Sequence, residues 1–188
     1  FLRGKSFLHR YTLESDAQAR NNFQKAIKLD PNYSDAHTGL ALSHLRDLLL
    51  SSSGSSTTSD QRNRENWIAH AFDAARKAVE LDQDSSDAHL QVGTAYVWVE
   101  DFDSAILETE LAVELNPSNA HARMALGNRL DLIGRNAEGI LQMEHSLELN
   151  PRDPNRWNYM GYLSRAYLDS HQYDKALSWA KKSVAITT

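Results

Sequence analysis

The sequence predicts an all-α chain built from repeated helix-turn-helix elements. Near-identical segment endings recur along it: a leucine, then Asp or Asn, then Pro or Gln. They are Leu29-Asp30-Pro31, Leu81-Asp82-Gln83, Leu115-Asn116-Pro117 and Leu149-Asn150-Pro151. Gln83 and Pro117 are 34 residues apart, and so are Pro117 and Pro151. All four prolines lie at or within three residues of these boundaries, which is typical of a residue that cannot continue a helix.

One period, residues 86–117, shows how each repeat is built. Apolar residues spaced by three or four indicate a first amphipathic helix, carried by Ala88, Val92, Ala95, Tyr96 and Val99. The run 100–103 interrupts the pattern. A second helix follows, carried by Ala105, Ile106, Thr109, Ala112 and Val113. Ser86 before Asp87 predicts the N-terminal cap of the first helix.

Small residues recur where the two helices of a repeat are expected to cross, because small side chains let backbones approach closely. In the third repeat these are Gly93, Ala105 and Ala112, and in the fourth they are Gly127, Gly139 and Ser146. In the first repeat, Phe23 stands between Ala19 and Ala26.

These motifs resemble the tetratricopeptide repeat family. The match is good for Val92-Gly93-x-x-Tyr96 followed by Ala105, Ala112 and Pro117, and partial for Leu126-Gly127, Ser146 and Pro151. The resemblance covers essentially the whole chain and implies a right-handed α-solenoid of about five repeats and about ten helices. The segment Leu2–Tyr33 resembles the first repeat of such regions in bacterial multidomain regulators, where repeats follow a DNA-binding, kinase or cyclase domain.

We expect a single array whose units differ in length. The predicted units are 1–33, 34–85, 86–119, 120–153 and 154–188. The second unit carries a Ser-rich insertion at 51–60, which we expect to be a mobile loop. We expect additional helix through 48–50 before this loop. We expect an unusual turn at 11–14, and one added helical turn between Trp157 and Tyr167.

Composition narrows the class of protein. Cysteine is absent, so disulfides and thiolate chemistry are excluded, and the net charge of −5 argues against binding a phosphate backbone. The sequence contains no run of 18 apolar residues, so no membrane span is predicted. The chain begins at Phe1 and reads as a region of something longer. We expect no nucleic-acid or membrane partner and a cytoplasmic location, with the periplasm left open.

Catalytic, cofactor and metal sites are not expected. His37 and His89 occupy equivalent repeat positions, which favours a structural role over metal binding. Acid pairs such as Glu100 and Asp101 fall in turns, without a neighbouring nucleophile. We therefore interpret the chain as noncatalytic.

The candidate site is the groove that the first helix of each repeat lines in this family. Position by position, the resemblance implies the groove residues Leu42, Leu90, Thr94, Val97, Trp98, Met124, Asn128, Asp131, Leu132, Asn158 and Tyr162. Trp98 and Tyr162 are the best anchor candidates, because aromatic residues dominate interface energetics. Alternatively, several of these side chains pack against the adjacent second helix or the long loop.

One partner class is excluded by the same comparison. Members that bind chaperone tails need a Lys at the position of Met124 and an Asn at that of Tyr159, so that clamp is absent here. We expect a scaffold that binds a protein or peptide, as the regulatory or sensory part of a larger bacterial protein. The alternatives are an appended enzyme, such as a nucleotide cyclase or glycosyltransferase, and self-association through the C-terminal repeat.

Overall fold

The computed structural model describes residues 1–8, 12–51 and 58–187, and all regular secondary structure in these ranges is helical. The helices form two compact units, 1–101 and 102–188. The first unit contains α1 (Leu2–Leu8), α2 (Leu13–Leu29), α3 (Ser34–Ser51), α4 (Thr58–Leu81) and α5 (Ser86–Val97). The second contains α6 (Phe102–Leu115), α7 (Ala120–Leu132), α8 (Asn136–Leu149), α9 (Arg156–Asp169) and α10 (Tyr173–Thr187). The prediction of an all-α chain of about ten helices is confirmed.

In the first unit, Phe23 of α2 joins three helices. Its side chain is fully buried, between Gly4 of α1 and Gly39 of α3. A Cβ atom on either glycine would come within 2.6 Å of the ring. Both positions therefore need glycine, because any side chain would overlap the ring. Towards the other end of the unit, α4 packs against α3 and α5.

In the second unit, α7 and α8 cross at two glycines. A Cβ on Gly127 would lie 2.7 Å from the carbonyl oxygen of Gly139, and a Cβ on Gly139 would lie 2.6 Å from that of Gly127. Further along, the hydroxyl of Ser146 donates to the carbonyl of Ala120 over 2.6 Å. The predicted crossing residues of the fourth repeat are thus confirmed. Around them packs an apolar cluster of α7, α8, α9 and α10 that includes Met124, Ile140, Met143, Leu147, Met160, Leu163 and Tyr167.

The loops between hairpins are closed by short-range side-chain bonds. At three of the four predicted repeat endings, an Asp or Asn oxygen accepts from the backbone N–H two residues later. The pairs are Asp30 with Asn32 (3.0 Å), Asp82 with Asp84 (3.2 Å) and Asn116 with Ser118 (3.1 Å). These turns stop one helix and redirect the chain into the next.

A second bond fixes each of the same loops. A side chain in the first turn of the following helix donates to a carbonyl six residues earlier. The pairs are His37 with Pro31 (3.0 Å), His89 with Gln83 (3.0 Å) and Arg123 with Pro117 (2.8 Å). His37 and His89 therefore have a structural role, as their repeat equivalence predicts.

Three further turns, at 98–101, 133–135 and 170–172, share one geometry. A residue in the left-handed region follows the end of α5, α7 and α9: Glu100 with φ 60°, Gly134 with φ 81° and His171 with φ 59°. The next N–H then bonds the carbonyl five residues back, as Arg135 does to Leu130 over 2.9 Å. This is a helix C-terminal cap in which glycine is favoured but not required.

The structure corrects the register of the fifth repeat. Ser183 donates to the carbonyl of Trp157 over 2.6 Å, the same bond that Ser146 makes to Ala120, 37 residues earlier. The Asp that accepts from the N–H two residues later is here Asp153, bonded to Asn155 over 2.7 Å. Three extra residues therefore lie in the loop before α9, and the predicted extra helical turn between Trp157 and Tyr167 is wrong.

Two local predictions are also corrected. The cap of α5 is Ser85, whose side chain accepts from the N–H of Ala88, and not Ser86. Thr12 caps α2, so Leu13 and Glu14 belong to its first turn rather than to a loop. In the Ser-rich segment, residue 51 ends α3 and residues 58–60 begin α4. Residues 48–50 are therefore helical as predicted, whereas 51 and 58–60 belong to helices and not to the predicted loop. Residues 52–57 lie outside the described ranges. No described helix has the length and apolarity needed to cross a membrane.

Candidate functional site

The predicted groove residues of the first unit are mostly packed. Leu90 is buried, and Leu42, Thr94 and Val97 are half-buried. The hydroxyl of Thr94 is occupied by a bond to the carbonyl of Leu90 over 2.7 Å. Thr94 is the polar residue among these four, and its hydroxyl already has a hydrogen-bond partner within α5.

Trp98, the first anchor candidate, packs on the second helix of the preceding hairpin. It belongs to a cluster built on Leu45, Leu48, Ala71 and Ala95, to which Trp67, Ile68 and Phe72 also belong. The Arg64 guanidinium lies 5.3 Å from the centre of its ring. This is the arrangement in which the side chain packs against the second helix rather than lining the groove.

In the second unit, the first helices of two hairpins carry a polar cluster. Arg165 of α9 donates from Nε and Nη2 to Asp131 of α7, over 3.2 and 3.0 Å, and from Nη2 to Asn128 over 2.6 Å. Asp131 also accepts from Asn136 over 2.9 Å. The Asp131 carboxylate is 1% exposed and the Arg165 side chain 41%. The acid is thus a buried support that orients a half-exposed guanidinium.

Tyr162 borders this cluster. The Arg165 guanidinium lies 5.8 Å from the centre of its ring, and Asn158 lies 3.4 Å from its hydroxyl. Met124 is buried in the apolar cluster beneath, so it is not a contact surface. Leu132 is exposed one residue beyond Asp131. The structure therefore brings together Asn128, Asp131, Asn158 and Tyr162 of the predicted groove.

Arg165 is the residue that the sequence analysis missed. With the corrected register, it is the fifth-repeat equivalent of Asn128, whereas counting 34 residues forward gives Tyr162. The signal was present in the loop before α9, where Asn150 and Asp153 both fit the repeat-ending position. Choosing Asp153 would have identified Arg165.

A second polar cluster, in the first unit, was not predicted at all. Arg46 donates to Asp16 over 3.1 Å and also to the carbonyl of Leu8, and Arg20 bonds Asp47. Burial raises the pKa of Asp16 above its usual range, although Arg46 opposes the shift. Burial likewise raises the pKa of Asp47 against the opposing effect of Arg20. These pairs join α2 to α3.

His44 lies beside the ion pairs of the first unit. Burial lowers the pKa of His44 to about 4, with the charges of Arg20 and His70 adding to the effect. Its ring centre is 5.3 Å from that of His70. Perturbed pKa values are common at catalytic sites. Here the pKa shift of His44 comes mainly from its burial in the helix packing, which is a structural cause.

Tyr167 shows the same kind of structural perturbation in the second unit. Its hydroxyl donates to Glu144 over 2.5 Å. Burial raises the pKa of Tyr167 to about 12, and the bond to Glu144 adds to the shift. Within the described ranges, no three His, Asp or Glu side chains are grouped as metal ligands would be.

The comparisons with known sequences give no match. No protein-family model matches the chain. No curated protein sequence matches it either.

Solved structures resemble the chain over most of its length. The crystal structure of MamA has a TM-score of 0.62 at 22% identity and covers 92% of this chain and 88% of MamA. YrrB, a TPR protein with an unusual peptide-binding site, has a TM-score of 0.57 at 22% identity and covers 92% and 78%. TTC0263, a thermophilic TPR protein of Thermus thermophilus, has a TM-score of 0.63 at 20% identity and covers 80% and 77%. This chain therefore has the tetratricopeptide repeat fold.

Proposed function

We propose that the protein is a noncatalytic scaffold that binds a protein or peptide partner on the first-helix face of its second unit. The face is defined by Asn128, Asp131, Asn158, Tyr162 and Arg165. On this proposal the chain serves as the regulatory or sensory region of a larger bacterial protein.

The observation that carries the proposal is the orientation of Arg165. Its guanidinium is fixed by Asp131 and Asn128, yet the side chain stays half-exposed. These bonds use Nε and Nη2, so Nη1 is the nitrogen that they do not engage. A guanidinium held in place beside an aromatic ring loses little side-chain entropy when it meets an acceptor on a partner.

The neighbouring groups favour a peptide over a small metabolite. Tyr162 and Asn158 extend the face along α9, and Leu132 adds an exposed apolar side chain on α7. An elongated face with one aromatic group, one cation and amides suits a chain that presents repeated carbonyls. YrrB, which shares the fold, is described as a protein with a peptide-binding site.

A peptide array tests the proposal. The purified protein is applied to immobilised peptides of varied sequence, and the peptides that retain it are resynthesised for titration. Arg165→Gln and Tyr162→Ala should each weaken binding of those peptides by at least about tenfold, because both remove a face contact. Arg152→Gln is the matched control, since Arg152 is an exposed loop residue outside the face.

The contrary results are clear. If no peptide binds, or if Arg152→Gln weakens binding as much as Arg165→Gln, the face is not the binding site. Trp98→Ala gives a further contrast, because Trp98 belongs to a packing cluster of the first unit. It should lower thermal stability and leave peptide affinity unchanged.

A further inference from the structure

The second unit contains three successive second helices, α6, α8 and α10, that can be aligned residue by residue. The serine bonds place α10 37 residues after α8, and the repeat period places α8 34 residues after α6. Two apolar positions are thereby matched in all three helices. They are Ile106 and Val113 in α6, Ile140 and Leu147 in α8, and Leu177 and Val184 in α10.

In α6 and α8 these positions are covered by the helix that follows. Ile106 and Val113 pack with Leu126 and Leu130 of α7. Ile140 and Leu147 lie in one cluster with Leu163 and Tyr167 of α9. Both covering helices present two large side chains four residues apart.

In α10 the side chains at the same positions are exposed. Leu177 is 55% exposed and Val184 is 61% exposed, whereas Ile140 is 7% and Leu147 is 4% exposed. The neighbouring helix α9 is open on this side too. Leu168 is exposed, and a Cβ on Gly161 would meet no atom within 4 Å. Gly161 stands where α7 has the buried Met124, so a covering side chain has room there.

The charge on this face is reversed relative to the internal contact. In α8, Glu144 accepts the hydroxyl of Tyr167 from the covering helix. The matching residue is Glu110 in α6 and Lys181 in α10. Lys181 is exposed between Leu177 and Val184, and Lys182 is exposed beside it. A helix that packs on this face of α10 should therefore have an Asp or Glu at the position that Tyr167 occupies in the contact of α9 with α8.

We propose that the outer face of the α9–α10 hairpin, formed by Gly161, Leu168, Leu177, Lys181 and Val184, binds an acidic amphipathic helix of a partner protein. The partner helix carries two leucine-sized residues four positions apart, as α7 does, and a Glu or Asp that meets Lys181. A second copy of this chain fits poorly. Two α10 helices packed antiparallel about Lys181 would bring four lysines together.

This surface uses none of the residues of the first-helix face. The peptide-array result and the result below are therefore independent, and either proposal can fail alone.

A designed helix tests the outer face. The probe is a fluorescein-labelled peptide of about 15 residues, with leucines at i and i+4 and a glutamate row beside them, long enough to form a helix on docking. A matched peptide has lysine in place of each glutamate. Fluorescence anisotropy should show saturable binding of the acidic peptide and much weaker binding of the basic one.

Two variants locate the site. Leu177→Asp should weaken binding of the acidic peptide by at least about tenfold, because it places a charge in the apolar contact. Lys181→Glu should weaken the acidic peptide and strengthen the basic one. Leu141→Asp is the matched control: Leu141 is a 64% exposed leucine of α8 that does not lie on this face. Circular dichroism confirms that each variant is folded.

Three results would overturn the proposal. One is absence of saturable binding by the acidic peptide, and another is an equal loss for Leu141→Asp and Leu177→Asp. The third is a dimer in sedimentation equilibrium that Leu177→Asp dissociates, because a second copy would then occupy the face.

Discussion

Each unit joins helices of neighbouring hairpins with an ion pair, and the two pairs differ in how deeply the arginine is buried. In the first unit, Arg46 and Asp16 are both buried where α2 meets α3. In the second unit, Asp131 is buried but Arg165 is half-exposed, and the apolar cluster of Met124 and Met143 lies beneath. The packing between helical hairpins is thus stabilised by a buried ion pair in the first unit and by an apolar cluster in the second. We therefore expect substitutions of the ion pairs and changes of pH to affect the stability of the two units differently.

The largest expected effect comes from breaking the buried pair of the first unit. Arg46→Met leaves the Asp16 carboxylate buried without its main partner, which should destabilise folding by about 3–5 kcal/mol. The double variant Asp16→Leu/Arg46→Met removes both charges and should recover most of that loss. Urea unfolding followed by circular dichroism measures both. Equal losses in the single and double variants would show that the unpaired Asp16 carboxylate is not what destabilises Arg46→Met.

Arg165→Met sharpens the comparison. Its partner Asp131 keeps the bond from Asn136, and the Arg165 side chain is already partly in water. The loss should therefore be clearly smaller than that of Arg46→Met in the same urea experiment. An equal or larger loss would mean that the second unit depends on its ion pair at least as much as the first.

The next effect is a dependence on pH confined to the first unit. His44 has a folded-state pKa of about 4 against 6.5 for the free side chain, so the unfolded chain binds the proton first as pH falls. The stability that neutral His44 contributes is complete above pH 6.5 and is lost as pH falls to about 4, by up to about 3 kcal/mol. Unfolding free energies at pH 7.5 and pH 5 should show the loss.

The control for this prediction must separate His44 from the buried acids. Burial raises the pKa of Asp16 and Asp47, so the folded state takes up their protons first and they add stability as pH falls. His44→Gln should remove the loss on acidification and leave only that opposite trend. His145→Gln, at an exposed position of α8, should behave as the wild type. An unchanged pH dependence in His44→Gln would contradict the assignment.

The smallest effects compare two glycines of the second unit. Gly139→Ala should cost about 1–3 kcal/mol, because its Cβ would lie 2.6 Å from a backbone oxygen that cannot easily move. Gly161→Ala meets nothing and should stabilise α9 by about 0.5–1 kcal/mol. Thermal melts rank the two variants. The reverse order would mean that the α7–α8 crossing is looser than the structure has it.

Much of the fold could be predicted from the sequence because its determinants are local. The repeat endings at Asp30, Asp82 and Asn116 form turns through bonds that span two residues. The crossing glycines Gly127 and Gly139 are separated by a fixed length of helix and turn. Such local features recur at a fixed spacing, so the repeat can be recognised from the sequence alone.

What could not be predicted depends on distant partners. Asp16 and Arg46 are 30 residues apart, and each alone resembles a charge on a solvated helix face. Trp98 is expected in the groove from its repeat position, yet it packs against Trp67 and its neighbours. The contact of Arg165 with Asn128 was hidden because three extra residues before α9 shifted the count.

The closure of the inter-repeat loops has a consequence for how such a gene changes. Each inter-repeat loop is held by hydrogen bonds between residues at most six positions apart, such as the bond from His89 to the carbonyl of Gln83. A duplicated segment of one repeat period therefore contains all the residues that form these loop bonds. A protein that gains or loses a repeat in this way needs no new turn sequence. Only the outward surfaces of the flanking hairpins must be adapted, and those are the places where lineages with different copy numbers should diverge first.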